Sequence, residues 1–175
     1  MKIFIQIACF LWFANCSAQK SGFNKFINEF KILEFPFTVN GQPELINKDL
    51  FSKKITRFEF LKYLNDLNEP IKKDSYFYIG GKAKFLNYTI LIYRITDFGE
   101  TEALDNIRIV MVVFDKSGKM ISKKTIGGME PEENYINCHL NNDMTITITR
   151  LNANNEIQNV KKYFVNIKGE IQTSN

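Results

Sequence analysis

The chain has 175 residues, which fits one domain at the usual scale of about 100–200 residues and leaves little room for two. With 45% hydrophobic and 24% charged residues it is neither a disordered tail, nor a collagen-like repeat, nor a polytopic membrane protein. The net charge of +4 is spread over separate lysine pairs, Lys53-Lys54, Lys72-Lys73, Lys123-Lys124 and Lys161-Lys162, each beside acidic or apolar residues. A nucleic-acid binder concentrates such charge on one face with interleaved aromatics, so none is expected as a partner.

Met1-Lys2 gives a short positive start, and Ile3 to Ala14 is an apolar run interrupted only by Gln6. Asn15-Cys16-Ser17-Ala18 then supplies small residues for cleavage, with Ala18 last in the leader and Gln19 the new terminus. The run falls short of the roughly 20 apolar residues that span a bilayer. Residues 1–18 are therefore read as an export signal and 19–175 as a single domain, periplasmic or secreted. The alternative is an outer-membrane lipoprotein, with Cys16 as the acylated residue. Asn15 opposes it, because Gly, Ala or Ser ordinarily precedes such a cysteine. Once the leader is removed, Cys9 and Cys16 go with it. The remaining Cys138 cannot make an internal disulfide, so stability must come from the core.

Phe23, Phe26, Ile27, Phe30 and Leu33 follow the spacing of one helical face, with Ser21 as a cap and Pro36 ending the helix near Phe35. Phe37-Thr38-Val39 is a candidate short strand, and Asn40-Gly41-Gln42-Pro43 is turn chemistry. Thr56-Arg57-Phe58-Glu59 is a capping box, flanked by Ile55 and Phe60 at the staple positions, and predicts a second helix running to about Leu67.

From Tyr76 the period changes from 3.6 to 2. Eight strands are predicted: 76–86, 88–96, 106–115, 119–126, 135–140, 144–151, 158–166 and 170–173. Asp115-Lys116-Ser117-Gly118, Asn141-Asn142-Asp143 and Lys168-Gly169 are hairpin turns, so neighbouring strands should be antiparallel. Thr145 to Thr149 alternates cleanly and predicts one wet face, whereas 107–114 is apolar on both sides and should be covered twice. Gly80-Gly81 within the first strand suggests a bulge.

Chemistry-bearing residues are few. Cys138 and the single histidine, His139, are adjacent, but alternation sends them to opposite faces, so they cannot share a metal: Cys138 is read as core and His139 as surface. Asp97, Glu100, Glu102 and Asp105 form one acidic loop and Glu130, Glu132 and Glu133 another. Both are read as solvated, since neither has the spacing of a calcium loop. Gly80-Gly81-Lys82 and Gly127-Gly128 lack the context of a phosphate loop. Nothing calls for a cofactor or a metal, and no catalytic residue is assigned. Aromatics concentrate on the first two strands, where Tyr76, Tyr78, Tyr88 and Tyr93 are the candidate binding surface, with cross-strand packing as the simpler reading.

Together the export signal, Phe23-x-x-Phe26-Ile27-x-x-Phe30, Leu33-Glu34-Phe35-Pro36-Phe37 and the hairpin Phe114-Asp115-Lys116-Ser117-Gly118-Lys119 carry a resemblance. The chain resembles small secreted or lipid-anchored proteins of the Bacteroidota cell envelope, whose function is unknown and whose helices precede an antiparallel meander. The resemblance implies an envelope location and transfers no catalytic residue. The expected fold is α+β, with two N-terminal helices packed on a curved antiparallel meander of about six to eight strands. The expected function is a non-enzymatic binding or interaction domain with a protein or glycan partner in the envelope, meeting the membrane only if lipid-anchored. The alternatives are a carboxylate-dependent hydrolase, or a lipocalin-like carrier if the meander closes into a barrel.

Overall fold

The structure, a computed structural model, describes residues 21–65, 71–98, 104–130 and 134–174. The proposed leader with Cys16, and Leu67 at the expected end of the second helix, lie outside the described residues.

The fold is mostly β, which corrects the α+β expectation: strand accounts for 53% and helix for 11%, in one eleven-stranded sheet with two short helices. Helix α1 covers residues 21–28 and α2 covers Arg57–Tyr63. Three short strands precede the meander: β1 (Lys31–Ile32), β2 (Phe37–Val39) and β3 (Lys54–Ile55). Then come β4 (Tyr76–Phe85), β5 (Tyr88–Phe98), β6 (Leu104–Phe114), β7 (Met120–Glu130), β8 (Asn134–Leu140), β9 (Thr145–Leu151), β10 (Ile157–Val165) and β11 (Ile171–Thr173). The path runs β1-β4-β5-β6-β7-β8-β9-β10-β11, with β3 also beside β4 and β2 beside β8. The β1–β4 pair is parallel and the other pairs are antiparallel.

The first helix is shorter than its apolar spacing suggests because tertiary partners claim its end. Lys82 Nζ donates to the Ile27 carbonyl at 3.1 Å, an acceptor that another turn would have used, and to Asn28 Oδ1 at 3.3 Å. The chain then straightens, and the Leu33 amide donates to the Lys82 carbonyl at 2.8 Å, so Lys31–Ile32 becomes an edge strand on β4. Phe30 and Leu33 remain buried all the same, because that side of the chain still faces the core. The second helix starts as predicted: the Glu59 amide donates to Thr56 Oγ1 at 3.2 Å, and the Thr56 amide donates to Glu59 Oε2 at 3.1 Å. It is shorter at its far end, with Leu64 as its C-cap.

The sheet turns a corner at β7. Residues 120–129 of β7 pair with β6, but only Gly128, Met129 and Glu130 pair with β8, so β8–β11 swing round to face β4–β6. Gly128 has φ +128, where a Cβ would collide with the Ile107 carbonyl oxygen, so this corner requires a glycine. Two apolar layers result. On one side of β4–β6, Phe23, Phe26 and Phe30 join Phe60 and Leu64 over Phe77, Leu91, Tyr93, Val110 and Val112. On the other, Ile90, Ile92, Ile109 and Met111 pack against Cys138, Leu140, Ile146 and Val165 from the returning half. Strands β5 and β6 are thus covered on both faces, as their continuous apolar runs predict.

Turn chemistry fixes the hairpins. Asp115 Oδ1 accepts from the Ser117 amide at 2.8 Å and the Lys119 amide at 3.0 Å, with Gly118 at φ +86. These bonds, the Ser117 side-chain bond first, hold the Asp115 carboxyl below its ordinary range. At Gly80-Gly81 the β4–β5 register shifts between Ile79 and Lys82, a bulge at the predicted place.

Candidate functional site

The four tyrosines singled out in the sequence are divided between two faces. Register places Ile79 opposite Tyr93 and Tyr78 opposite Arg94, so Tyr93 belongs to the helix-covered side. It is fully buried, with the Phe60 ring edge-on at 5.7 Å. Tyr78 lies on the opposite face, half-buried beneath the Arg94 guanidinium at 4.0 Å. Burial lowers the pKa of that guanidinium, and Tyr78 partly offsets the shift. Tyr88 donates its hydroxyl to the Ile167 carbonyl at 2.9 Å, tying the β10–β11 turn to the start of β5. Tyr76 is 45% exposed, with Phe98 edge-on at 5.5 Å and Lys54 Nζ 4.8 Å from its ring centre. The structure therefore does not gather them into one platform.

Cys138 and His139 point to opposite sides of β8, as alternation requires. Burial pushes the Cys138 thiol up to about 12. His139 is exposed, its Nδ1 3.1 Å from Thr38 Oγ1. Of the acidic residues, Asp97 is buried at the end of β5, bonded by Ser75 Oγ and paired with Arg108 Nη2 at 3.1 Å. Glu100, Glu102, Glu132 and Glu133 lie outside the described residues, and Asp105 is described in its backbone only.

The feature that the sequence did not single out is a cleft of about 580 Å³ where the two halves of the sheet part, between β6–β7 and β8–β10. Ile107, Ile136 and Ile148 line it, all buried and all members of the inner apolar layer. Polar residues from both sides line it too. From β10 come Asn159, Lys161 and Tyr163, which share the face of Arg150, Ile148 and Ile146 on β9 by register. From β7 come Lys124 and Glu130, and from β6 Asn106 and Arg108.

Charge in the cleft is unevenly balanced. Arg150 Nη1 meets Glu130 Oε2 at 3.0 Å, and Arg108 is paired with Asp97. Lys124 and Lys161 meet no carboxylate among the described residues. Lys124 Nζ instead sits 4.0 Å from the centre of the Tyr163 ring, a cation–π contact worth about 0.5–2 kcal/mol. Lys161 is two residues from Tyr163 on the same strand face, and both lysines line the cleft. Asn106 adds a buried Oδ1 with no hydrogen-bond partner. In the sequence both lysines stand out only as halves of separate pairs. The usable signal was alternation, which splits each pair: Lys124 falls on the inward face with Ser122, and Lys161 on that of Tyr163 and Val165.

Fold and cleft together define a two-layered, mostly β protein with helices over one outer face and a basic, amide-lined cleft at the parting of the layers. Compared with protein-family models, with curated proteins and with solved structures, the chain finds no match.

Proposed function

We propose that this chain is an exported, non-enzymatic binding domain of the cell envelope that holds a small polar ligand in the cleft between β6–β7 and β8–β10. The cleft carries the reading. Its volume lies in the range of about 300–1,000 Å³ usual for small-molecule sites, and it combines an apolar floor with converging polar groups. Its lining offers amides, cations and one aromatic ring, which suit recognition. Among the described residues its one carboxylate, Glu130, is engaged by Arg150, and no histidine, cysteine or serine lines it. Cys138 and His139 contribute to neither wall. Export rests on the pattern of residues 1–18.

The test is a screen of sugars, sugar acids and short peptides against the isotopically labelled protein, read by amide chemical shifts. Ligands should perturb Arg108, Lys124, Arg150 and Lys161 as a group. Hits that map to another surface, or a screen with no hits at all, would overturn the assignment of the cleft. Mass spectrometry of the protein purified from its host envelope tests export: a chain beginning at Gln19 is expected, and an intact Met1 terminus would overturn it.

A further inference from the structure

Given a ligand in this cleft, its chemical class follows from what the lining leaves unsatisfied, and we infer that it is an acidic sugar, a polyhydroxylated ring bearing a carboxylate or a sulfate. This inference rests on the cleft being the binding site and goes further by fixing the charge and hydroxyl content of the ligand. Among the described residues, four cations line the cleft against one carboxylate. The two arginines are paired already, Arg150 with Glu130 and Arg108 with Asp97. The anion is therefore met by Lys124, on the Tyr163 ring, and Lys161, two residues along the same strand face, neither with a paired carboxylate among the described residues. Lysine supplies a compact charge with three rotatable donors, suited to a tetrahedral or planar oxyanion without demanding a fixed fork geometry.

An anion alone would leave the rest of the lining unanswered. Asn106 is one amide of the lining, although its unpartnered Oδ1 is buried and out of a ligand's reach. Asn159 adds another amide, which both donates and accepts and so matches a ring of hydroxyls. An apolar floor of Ile107, Ile136 and Ile148 accommodates the C–H face of a sugar. One molecule that answers the lysines, the Asn159 amide and the apolar floor carries an anion, hydroxyls and a C–H face.

The experiment titrates the full chain with a trigalacturonate and with a chondroitin sulfate disaccharide, each beside its uncharged counterpart, the methyl ester and the desulfated sugar. Binding is read by calorimetry and by amide shifts. At least one acid probe should bind with shifts at Lys124, Lys161 and Tyr163, and about tenfold more tightly than its uncharged form. Which acid binds separates carboxylate from sulfate. The double variant Lys124→Gln/Lys161→Gln should lose that preference, and a denaturation midpoint and amide spectrum matching wild type away from the cleft show that its fold is intact. Equal binding of charged and uncharged probes within the cleft would overturn the acidic class and leave the cleft reading standing. Failure of every probe to shift any cleft residue would overturn both.

Discussion

β5 and β10 belong to the same sheet, yet almost every side chain of β5 is buried, whereas β10 is exposed from Ile157 through Lys162. The difference is one of cover. β5 has α1 and α2 on one face and the returning half of the sheet on the other, so apolar residues at consecutive positions all find partners. β10 buries only its end, where Val165 joins the inner layer; further back its inward face is Tyr163, Lys161 and Asn159, beside the cleft. Burial is thus concentrated on β5 while the proposed recognition surface lies beside β10, and this division is what substitutions can break or sharpen.

The largest effect is expected on the helix-covered face. Phe60 is fully buried, stacked on Phe77 at 3.9 Å and edge-on to Tyr93 at 5.7 Å. Phe60→Ala should cost about 3–5 kcal/mol in chemical denaturation. A loss below about 1 kcal/mol would mean that α2 merely rests on the sheet and that β5 is not covered twice. Next comes the corner that brings the two halves face to face. Gly128→Ala should destabilise by about 1–3 kcal/mol from backbone conformation alone. The clash with the Ile107 carbonyl should also displace amide resonances on β6 and β8 beside the cleft. Unchanged spectra for this variant would show that the corner tolerates a side chain.

Cys138 reports on the inner layer through its chemistry. A thiol raised to about 12 by burial is protonated and shielded at neutral pH, so alkylation should proceed only as fast as the protein opens. The pH dependence has a definite sign. The unfolded thiol ionises near its ordinary value of about 8.5, while the folded one keeps its proton to higher pH. Its contribution to stability is therefore complete below that ordinary value and is lost as pH rises towards about 12. Cys138→Ala should flatten the fall in stability over that alkaline range relative to wild type. Rapid alkylation of the native protein at pH 8 would place the thiol outside the core.

What could be read from the sequence followed local chemistry. Alternation with Asx and glycine turns located the eight meander strands, because each hairpin is specified within a few residues, as Asp115 to Gly118 shows. The class was missed because β1 and β3 are two-residue strands that exist only through pairing with β4. The apolar spacing of Phe30 and Leu33 looks helical even though Lys82 ends the helix at residue 28. The cleft was less legible still. Its lining comes from five strands, brought together by a corner at Gly128 whose role depends on its collision with β6. The tyrosine cluster illustrates the converse: proximity along two paired strands leaves open which face each ring takes, and alternation divided them.

The smallest effect should come from the cleft walls themselves, and its smallness is the point. Lys161 is exposed and pairs with no carboxylate among the described residues, so Lys161→Gln should change stability by no more than about 0.5 kcal/mol. The Arg150–Glu130 pair is half in solvent, with side chains 50% and 36% exposed, and exposed pairs contribute about 0.2–1 kcal/mol. Glu130→Gln should therefore lower the denaturation midpoint only slightly while releasing Arg150 into the cleft. If an acidic ligand binds there, the same substitution should strengthen its binding severalfold, since a third cation becomes available where Lys124 and Lys161 already act. A substitution that weakens the fold slightly and tightens the complex can come from a recognition surface. A loss of several kcal/mol at Glu130 would instead make the cleft wall part of the structural core and erase the distinction between β5 and β10.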